Sequence, residues 1–282
     1  MERLHDEGWL ATVLVKGPSA ALQAYCPRGP VAPSRAALES IVSWARQKGV
    51  AGLRVEPETG SELDPVFREL GFKPTTFVQP QHTLIVPLAS EEEILANCKR
   101  GTRYNIRFAA KNGVTVEVGK DASEMERQAR ASAGRQGIRL PPKSYYQLLL
   151  DTLPDCRTYV AKVDGEAVSA LLVAHHDGRG YDLYSGSNGE RRELKPAYAT
   201  KWAALKGALE AGCTDYDLWG VSPGPDRTHP WYGLWEFKSG FGGSLVQYTG
   251  CWELVLDELR HGVGQAATSA RRHLGRLLRR GD

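Results

Sequence analysis

Apolar positions along the chain follow two spacings, and the spacings succeed one another in the same order twice. From Trp9 to Val31 (WLATVLVKGPSAALQAYCPRGPV), two runs of alternating apolar residues flank Lys16-Gly17-Pro18, the pattern of a β-hairpin. Arg157 to Gly189 (RTYVAKVDGEAVSALLVAHHDGRGYDLYSGSNG) repeats it, with turns at Asp164-Gly165 and Asp177-Gly178. Helical spacing follows each hairpin. In Ser34 to Lys48, Leu38, Ile41, Val42 and Ala45 fall on one face, and Gly49 then leads into the strand VAGLRVEP. Pro196 to Ala211 (PAYATKWAALKGALEA) predicts the second helix, closed by Gly212 and followed by TDYDLWGV. Glycine past a helix end supplies the left-handed residue that stops it. After a loop, DPVFRELGFKP (Asp64 to Pro74) and YGLWEFKSGFGG (Tyr232 to Gly243) each read as a short helix running into Gly-Phe.

Hairpin, helix, strand and short helix in a fixed order describe an α/β unit of acyltransferase type, present twice. The segment between the copies, ASEEEILANCKRGTRYNIRFAAKNGVTVEVGKD, opens with Ser90 and Glu93 at capping-box spacing, and its early acids suit the helix dipole. Lys99, Arg100, Arg103, Arg107 and Lys111 follow on a helix ending near Gly113, a basic face for an anionic ligand or for solvent. The expected division is residues 1–112 with a C-terminal helix over 253–282 as the first domain, and 113–252 as the second.

Composition narrows the function. With 41% apolar and 24% charged residues, the 282-residue chain has the make-up of a folded globular protein. Its net charge of +3 is too small for bulk attraction to nucleic acid. Yet five arginines, among them Arg272, Arg276 and Arg279, crowd the tail RRHLGRLLRRGD, where Leu274, Leu277 and Leu278 share a face. That end is a candidate contact for phosphates or anionic headgroups, or a helix with a solvated basic side. Five scattered cysteines without a C-x-x-C suit a reducing compartment, and no metal site is expected. The N-terminus has no secretory pattern, no window reaches the length of a membrane helix, and the seven histidines show no evident pairing with a Ser or Cys nucleophile.

Loops at the carboxyl ends of strands carry the ligands of α/β units. These are Tyr184 to Asn188, Leu218-Trp219-Gly220, and the segment Trp231 to Gly243, where Trp231, Tyr232, Trp235, Phe237 and Phe241 surround Lys238. An ammonium with aromatic walls stabilises a developing oxyanion far better than one in water; the other reading is an exposed helix lysine whose stem covers aromatic surface. Asp217 is a candidate base, or a strand-end carboxylate bonded to backbone. At the second helix start, Arg191, Arg192 and Lys195 attract phosphate, but no glycine lies between Arg192 and Tyr198, and Pro196 removes a donor, so a coenzyme-A pyrophosphate loop is not expected.

The segments RYNIRFAAKNGVTVEVG, RQGIRLPPKSYY, LYSGSNGERRELKPAYATKWAALKGALEAGCTDYDLWGV and WEFKSGFGG, in that order, resemble the Fem family of peptidoglycan-bridge aminoacyltransferases. The resemblance spans about Tyr25 to Trp252 and is most specific at F-K-x-x-F-G-G after D-L-W-G. It implies an α/β (α+β) fold of two tandem acetyltransferase-like (GNAT-type) domains with mixed sheets; the long charged arm of the staphylococcal members is absent. It implies transfer of an amino acid from aminoacyl-tRNA, the co-substrate, to the stem-peptide side-chain amine of a lipid-linked or UDP-linked peptidoglycan precursor. No further cofactor is implied. The rivals are an acyl-coenzyme-A-dependent N-acyltransferase of the same fold and a non-catalytic RNA- or surface-binding relative. The catalytic pair would be Phe237-Lys238; Tyr145, Tyr184, Arg139, Tyr198, Arg192 and Trp219 would contact substrate, and Arg103, Arg107, Arg272, Arg276 and Arg279 the tRNA. Members carry an arginine four residues before the first of these tyrosines, where this chain has Pro141, with Arg139 two residues earlier. A cytoplasmic monomer, peripheral at the inner face of the membrane when its acceptor is lipid-linked, completes the expectation.

Overall fold

The computed structural model describes residues 1–136 and 140–266. The chain divides into two compact units, Met1–Gln81 with the segment from Gln247 onward, and His82–Val246. In the first, strands β1 (Glu2–Asp6), β2 (Trp9–Lys16) and β3 (Gln23–Pro27) form an antiparallel meander. Helix α1 (Arg35–Gln47) then crosses over to β4 (Gly52–Glu56), which lies parallel to β3. The local chemistry explains α1: Ser34 Oγ accepts from Ala37 N–H at 3.2 Å, Leu38, Ile41, Val42 and Ala45 are buried, and Gly49 at φ +70° ends it. Helix α2 (Asp64–Glu69) buries Phe67 and leads to β5 (Lys73–Thr75).

The second unit opens with β6 (His82–Pro87), α3 (Glu91–Asn97), α4 (Arg100–Lys111) and β7 (Thr115–Gly119). Ser90 caps α3 by accepting from Glu93 N–H, as the capping-box spacing predicts. Helices α5 (Ala122–Gln136) and α6 (Lys143–Thr152) precede the hairpins of β8 (Asp155–Val163), β9 (Glu166–His176) and β10 (Arg179–Ser187). Helix α7 (Pro196–Glu210) crosses over to β11 (Asp215–Gly220), parallel to β10, and α8 (Tyr232–Lys238) precedes β12 (Ser244–Gln247). Strand β13 (Cys251–Val255) follows.

Strand order is β1-β2-β3-β4-β13-β5 in one sheet and β12-β6-β11-β10-β9-β8-β7 in the other. Each is mixed, with one parallel pair joined by a crossover helix, so the two-unit α/β expectation is borne out. The longest described helices, α5 and α7, have 15 residues each. The strand beside each crossover strand is exchanged: β6 follows the first unit in the chain but pairs with β11, and β13 follows the second but pairs with β4. This sets the unit boundary after Gln81 rather than at the expected 112. Ile94 of α3, Cys98 just after it and Ile106 of α4 are buried in one cluster with Tyr216 and Leu218 of β11.

Strand β9 is buried over nine consecutive residues because both faces of its sheet are covered. Leu171 and Val173 meet α7 through Ala204, Leu205 and Ala208, while Ala170, Leu172 and Ala174 meet α5 and α6 through Met125, Ala129, Tyr146 and Leu150. The second contact requires glycine at 186, where an added Cβ would lie 2.4 Å from backbone atoms of Gln128 and Ala129. Backbone cannot yield as a side-chain tip does, so Gly186→Ala is expected to cost about 1–3 kcal/mol, read as a lower urea midpoint.

Candidate active site

The two parallel pairs differ in one respect that locates the site. In the first unit, β3 and β4 stay paired over five positions, from Gln23 opposite Gly52 to Pro27 opposite Glu56. In the second, β10 and β11 pair only at Arg179, Gly180 and Tyr181 opposite Asp215, Tyr216 and Asp217, and then part. Bulges mark the parting, at Asp182/Tyr184 on β10 and at Asp217/Gly220 on β11.

Charged side chains gather where the strands separate. Lys201 of α7, buried, forms an ion pair with Asp182, whose other oxygen accepts from Tyr216 Oη at 2.6 Å. Burial pushes the Lys201 ammonium well down, and the Lys238 cation adds to the push. Burial likewise holds the Tyr216 phenol up. Asp217 Oδ1 accepts from Thr83 Oγ1 and, at 2.7 Å, from Trp219 N–H, whereas its Oδ2 is buried without a hydrogen-bond partner. Of the two readings of Asp217, the structure therefore shows the backbone-bonded carboxylate. Lys238, the last residue of α8, is half-buried and donates from Nζ to the Gly220 carbonyl at 3.0 Å. Burial pulls its pKa down to about 8, against the favourable charge of Asp217. This is neither a solvated helix lysine nor a permanently charged one: near neutral pH it holds a proton it readily loses.

The neighbours of Lys238 form an aromatic wall. Phe237 meets Tyr198 edge-on at 5.0 Å between ring centroids and Phe241 at 5.3 Å. Phe241 is fully buried, and Gly242 and Gly243 follow at φ +85° and +88°. A Cβ at Gly242 would lie 2.8 Å from Asn97 O, and one at Gly243 2.6 Å from Ile85 O. The F-G-G element thus anchors the wall to α3 and β6; its glycines serve packing. Lys99 supports the same corner, donating from N–H to Gly240 O and from Nζ to Ser239 Oγ.

A second aromatic group stands on the arm of β10 beyond the parting. Tyr184 meets Tyr146 and Tyr145 of α6 edge-on, at 5.0 and 6.1 Å. Burial and a hydrogen bond with Tyr145 push the Tyr184 phenol up, so it stays protonated. Tyr145 is 39% exposed, whereas Tyr146 is buried with its hydroxyl unpartnered.

Other residues singled out in the sequence have varied surroundings. Arg192 is exposed on a short 3-10 turn, Arg192–Leu194. Trp219 is half-buried at φ +60°. Arg103 lies over the C-terminal end of α3, its Nη1 donating to the carbonyls of Leu95, Ala96 and Cys98, while Arg107 is exposed. Arg139, Arg272, Arg276 and Arg279 lie outside the described residues. Sequence reasoning missed Lys201 and Asp182. The signal for Lys201 was a cation placed three and four residues before Ala204 and Leu205 on the apolar face of α7. The helix start also offers pyrophosphate few donors: the N–H groups of Leu194, Lys195 and Tyr198 already donate to carbonyls, and Pro196 has none. Coenzyme A at millimolar concentration is therefore expected to leave thermal unfolding unchanged.

Among the described residues, no helix is long and apolar enough to cross a membrane, and no group of His, Cys, Asp and Glu is placed to hold a metal ion. The FemAB family model matches residues 156–269, which contain Asp182, Lys201, Asp217, Phe237 and Lys238 but not Lys99 or Thr83. Lipid II:glycine glycyltransferase of Staphylococcus aureus is 24% identical in an alignment of 334 positions that covers 87% of this chain and 79% of its own. In fold, the chain is similar to the crystal structure of FemX, with a TM-score of 0.81 at 20% identity, covering 93% of this chain and 89% of that one. The C-terminal domain of a putative lysylphosphatidylglycerol synthetase from Agrobacterium fabrum is similar at a TM-score of 0.64 and 12% identity, covering 95% and 88%. The resemblance to the Fem family is thus borne out in sequence and in fold.

Proposed function

Starting from a chain that is related to the FemAB family in sequence and to FemX in fold, we propose that it is an aminoacyltransferase of peptidoglycan-bridge formation. It moves an amino acid from the ester of an aminoacyl-tRNA to the side-chain amine of a stem peptide in a lipid-linked or nucleotide-linked precursor. The observation that supports this reading most is the place of Lys238: an ammonium with a pKa of about 8, half-buried at the carboxyl end of β11 where the parallel strands part.

The chemistry asks little more of the protein. The ester is already activated, so the enzyme has to bring amine and carbonyl together and stabilise the charge that develops. The neutral amine attacks the ester carbon, forming the C–N bond while the carbonyl electrons move onto oxygen. A partly dry ammonium near that oxygen is worth several kcal/mol that water would not supply. Collapse then breaks the C–O bond to the ribose, and the proton shed by the attacking nitrogen goes to the leaving ribose oxygen. On this reading Phe237 and Tyr198 wall the lysine, and Tyr145 and Tyr184 face the acceptor peptide. The exposed Arg107, together with the basic C-terminal tail, supplies contacts to tRNA phosphates.

Incubation with a mixture of charged tRNAs and muropeptide acceptors is expected to add the mass of one aminoacyl residue to one acceptor. No mass gain in any combination would overturn the reading. The same product identifies the amino acid transferred and the form of the acceptor.

A further inference from the structure

The corner at the end of β11 is strained, and the groups that hold it also connect to Lys238. Opposite β6, Asp217 pairs with Ile85 and the next registered pair is Gly220 with Thr83, so β11 carries an extra residue there. Trp219, inside that stretch, adopts φ +60°, a left-handed conformation that is strained for a residue with a Cβ. Such a conformation persists only when its surroundings impose it. Asp217 does so: its Oδ1 accepts the N–H of the residue two positions on, at 2.7 Å, the bond of an Asx turn, and a second donor, Thr83 Oγ1, fixes that oxygen from β6. The next carbonyl past the corner, Gly220 O, accepts from Lys238 Nζ at 3.0 Å.

We propose that Asp217, held by Thr83, is the positioning residue for Lys238: it locks the Trp219 corner so that the Gly220 carbonyl fixes the ammonium in place, and its unpartnered oxygen keeps a negative charge nearby. The role rests on the functional reading above, in which Lys238 stands at the reacting ester. The other charged groups around Lys238 leave this task to Asp217. Lys201 is ion-paired with Asp182, and Lys99 is hydrogen-bonded to Ser239. Asp217 is the carboxylate that raises the lysine against the pull of burial.

The variants separate shape from charge. Asp217→Asn keeps an oxygen for the Trp219 and Thr83 donors but loses the charge; Thr83→Val keeps the charge but frees the oxygen from β6; Asp217→Ala loses both. Two measurements apply to each: steady-state transfer, and competitive labelling of Lys238 against pH, read by mass spectrometry. Asp217→Asn is expected to move the labelling midpoint of Lys238 downward. Asp217→Ala is expected to lower kcat by about 10²-fold, the usual consequence of misplacing a reacting group by an ångström, with KM changed less than about threefold. Thr83→Val is expected to fall between it and the wild type. Should Asp217→Ala not fold, the other two variants decide. An unmoved midpoint and wild-type kcat in both Asp217→Asn and Thr83→Val would overturn the proposal. If the wild-type protein transfers nothing while the midpoint still moves in Asp217→Asn, the functional reading falls and the positioning role stands.

Discussion

Lys238→Ala is expected to lower kcat by about 10²–10³-fold and leave KM for both substrates nearly unchanged, because in the proposed reaction the ammonium acts on charge that exists only in the transition state. The pH dependence follows from the same group. With a pKa of about 8, Lys238 is charged at neutral pH and loses its proton as pH rises through 8, so the stabilising charge fades there. The acceptor amine works in the opposite sense, since a free lysine-type amine becomes nucleophilic only toward about pH 10.4. Single-turnover rates between pH 6 and 9.5 are therefore expected to rise and then flatten or fall above 8. Lys238→Arg, whose guanidinium keeps its charge, is expected to lose the alkaline break even if its rate is lower. An alanine variant with near-normal turnover would remove the lysine from the mechanism. Stability supplies an independent reading of the same burial. Because the folded-state pKa lies below the unfolded value, the unfolded chain binds more protons between about 8 and 10.4, and stability rises with pH across that window. Below 8 the penalty of burying the cation is fully present, so Lys238→Met is expected to melt higher than the wild type at pH 7, a trade of stability for function.

Much of this architecture was legible in the sequence because it is written locally. The two crossover helices show their apolar faces and their glycine stops, Gly49 and Gly212, and both glycines adopt positive φ. What was not legible is what depends on pairing between distant segments. HTLIVP reads as a strand, but nothing local says that β6 joins β11 rather than β4, so the boundary was expected at 112. The site divides in the same way. Lys238 was found because aromatic residues crowd it in the sequence. Lys201 and Asp182 are 19 residues apart, on a helix and a strand, and only the fold brings their charges together. Arg103 looked like a free cation in a basic run, and only the placement of α3 shows three carbonyls ending at its guanidinium. The F-G-G element, the most family-specific string, marks packing against Asn97 and Ile85.

Removing Lys201 is expected to be the most destabilising single change in the cluster. Lys201→Met takes away the partner of a carboxylate that is itself 6% exposed, leaving Asp182 with the Tyr216 hydroxyl. Breaking a buried pair from one side costs about 3–5 kcal/mol, a large share of the 5–15 kcal/mol that holds a typical domain together. Replacing both partners has a different outcome. Lys201→Met with Asp182→Leu removes both desolvation penalties and fills the space with apolar volume, and such replacements are often neutral or stabilising. Urea unfolding of the two single variants and the double variant forms a cycle in which the double is expected to be at least about 2 kcal/mol more stable than the sum of the singles predicts. Additive losses would show that the pair is not coupled and that each side chain only fills space. The cycle also bears on function, because Lys201 and Lys238 repel one another across the parting of β10 and β11. A stable double variant in which the alkaline break of transfer moves upward would show that the buried pair tunes Lys238, whereas a break still near 8 would confine it to holding the strands and α7 together.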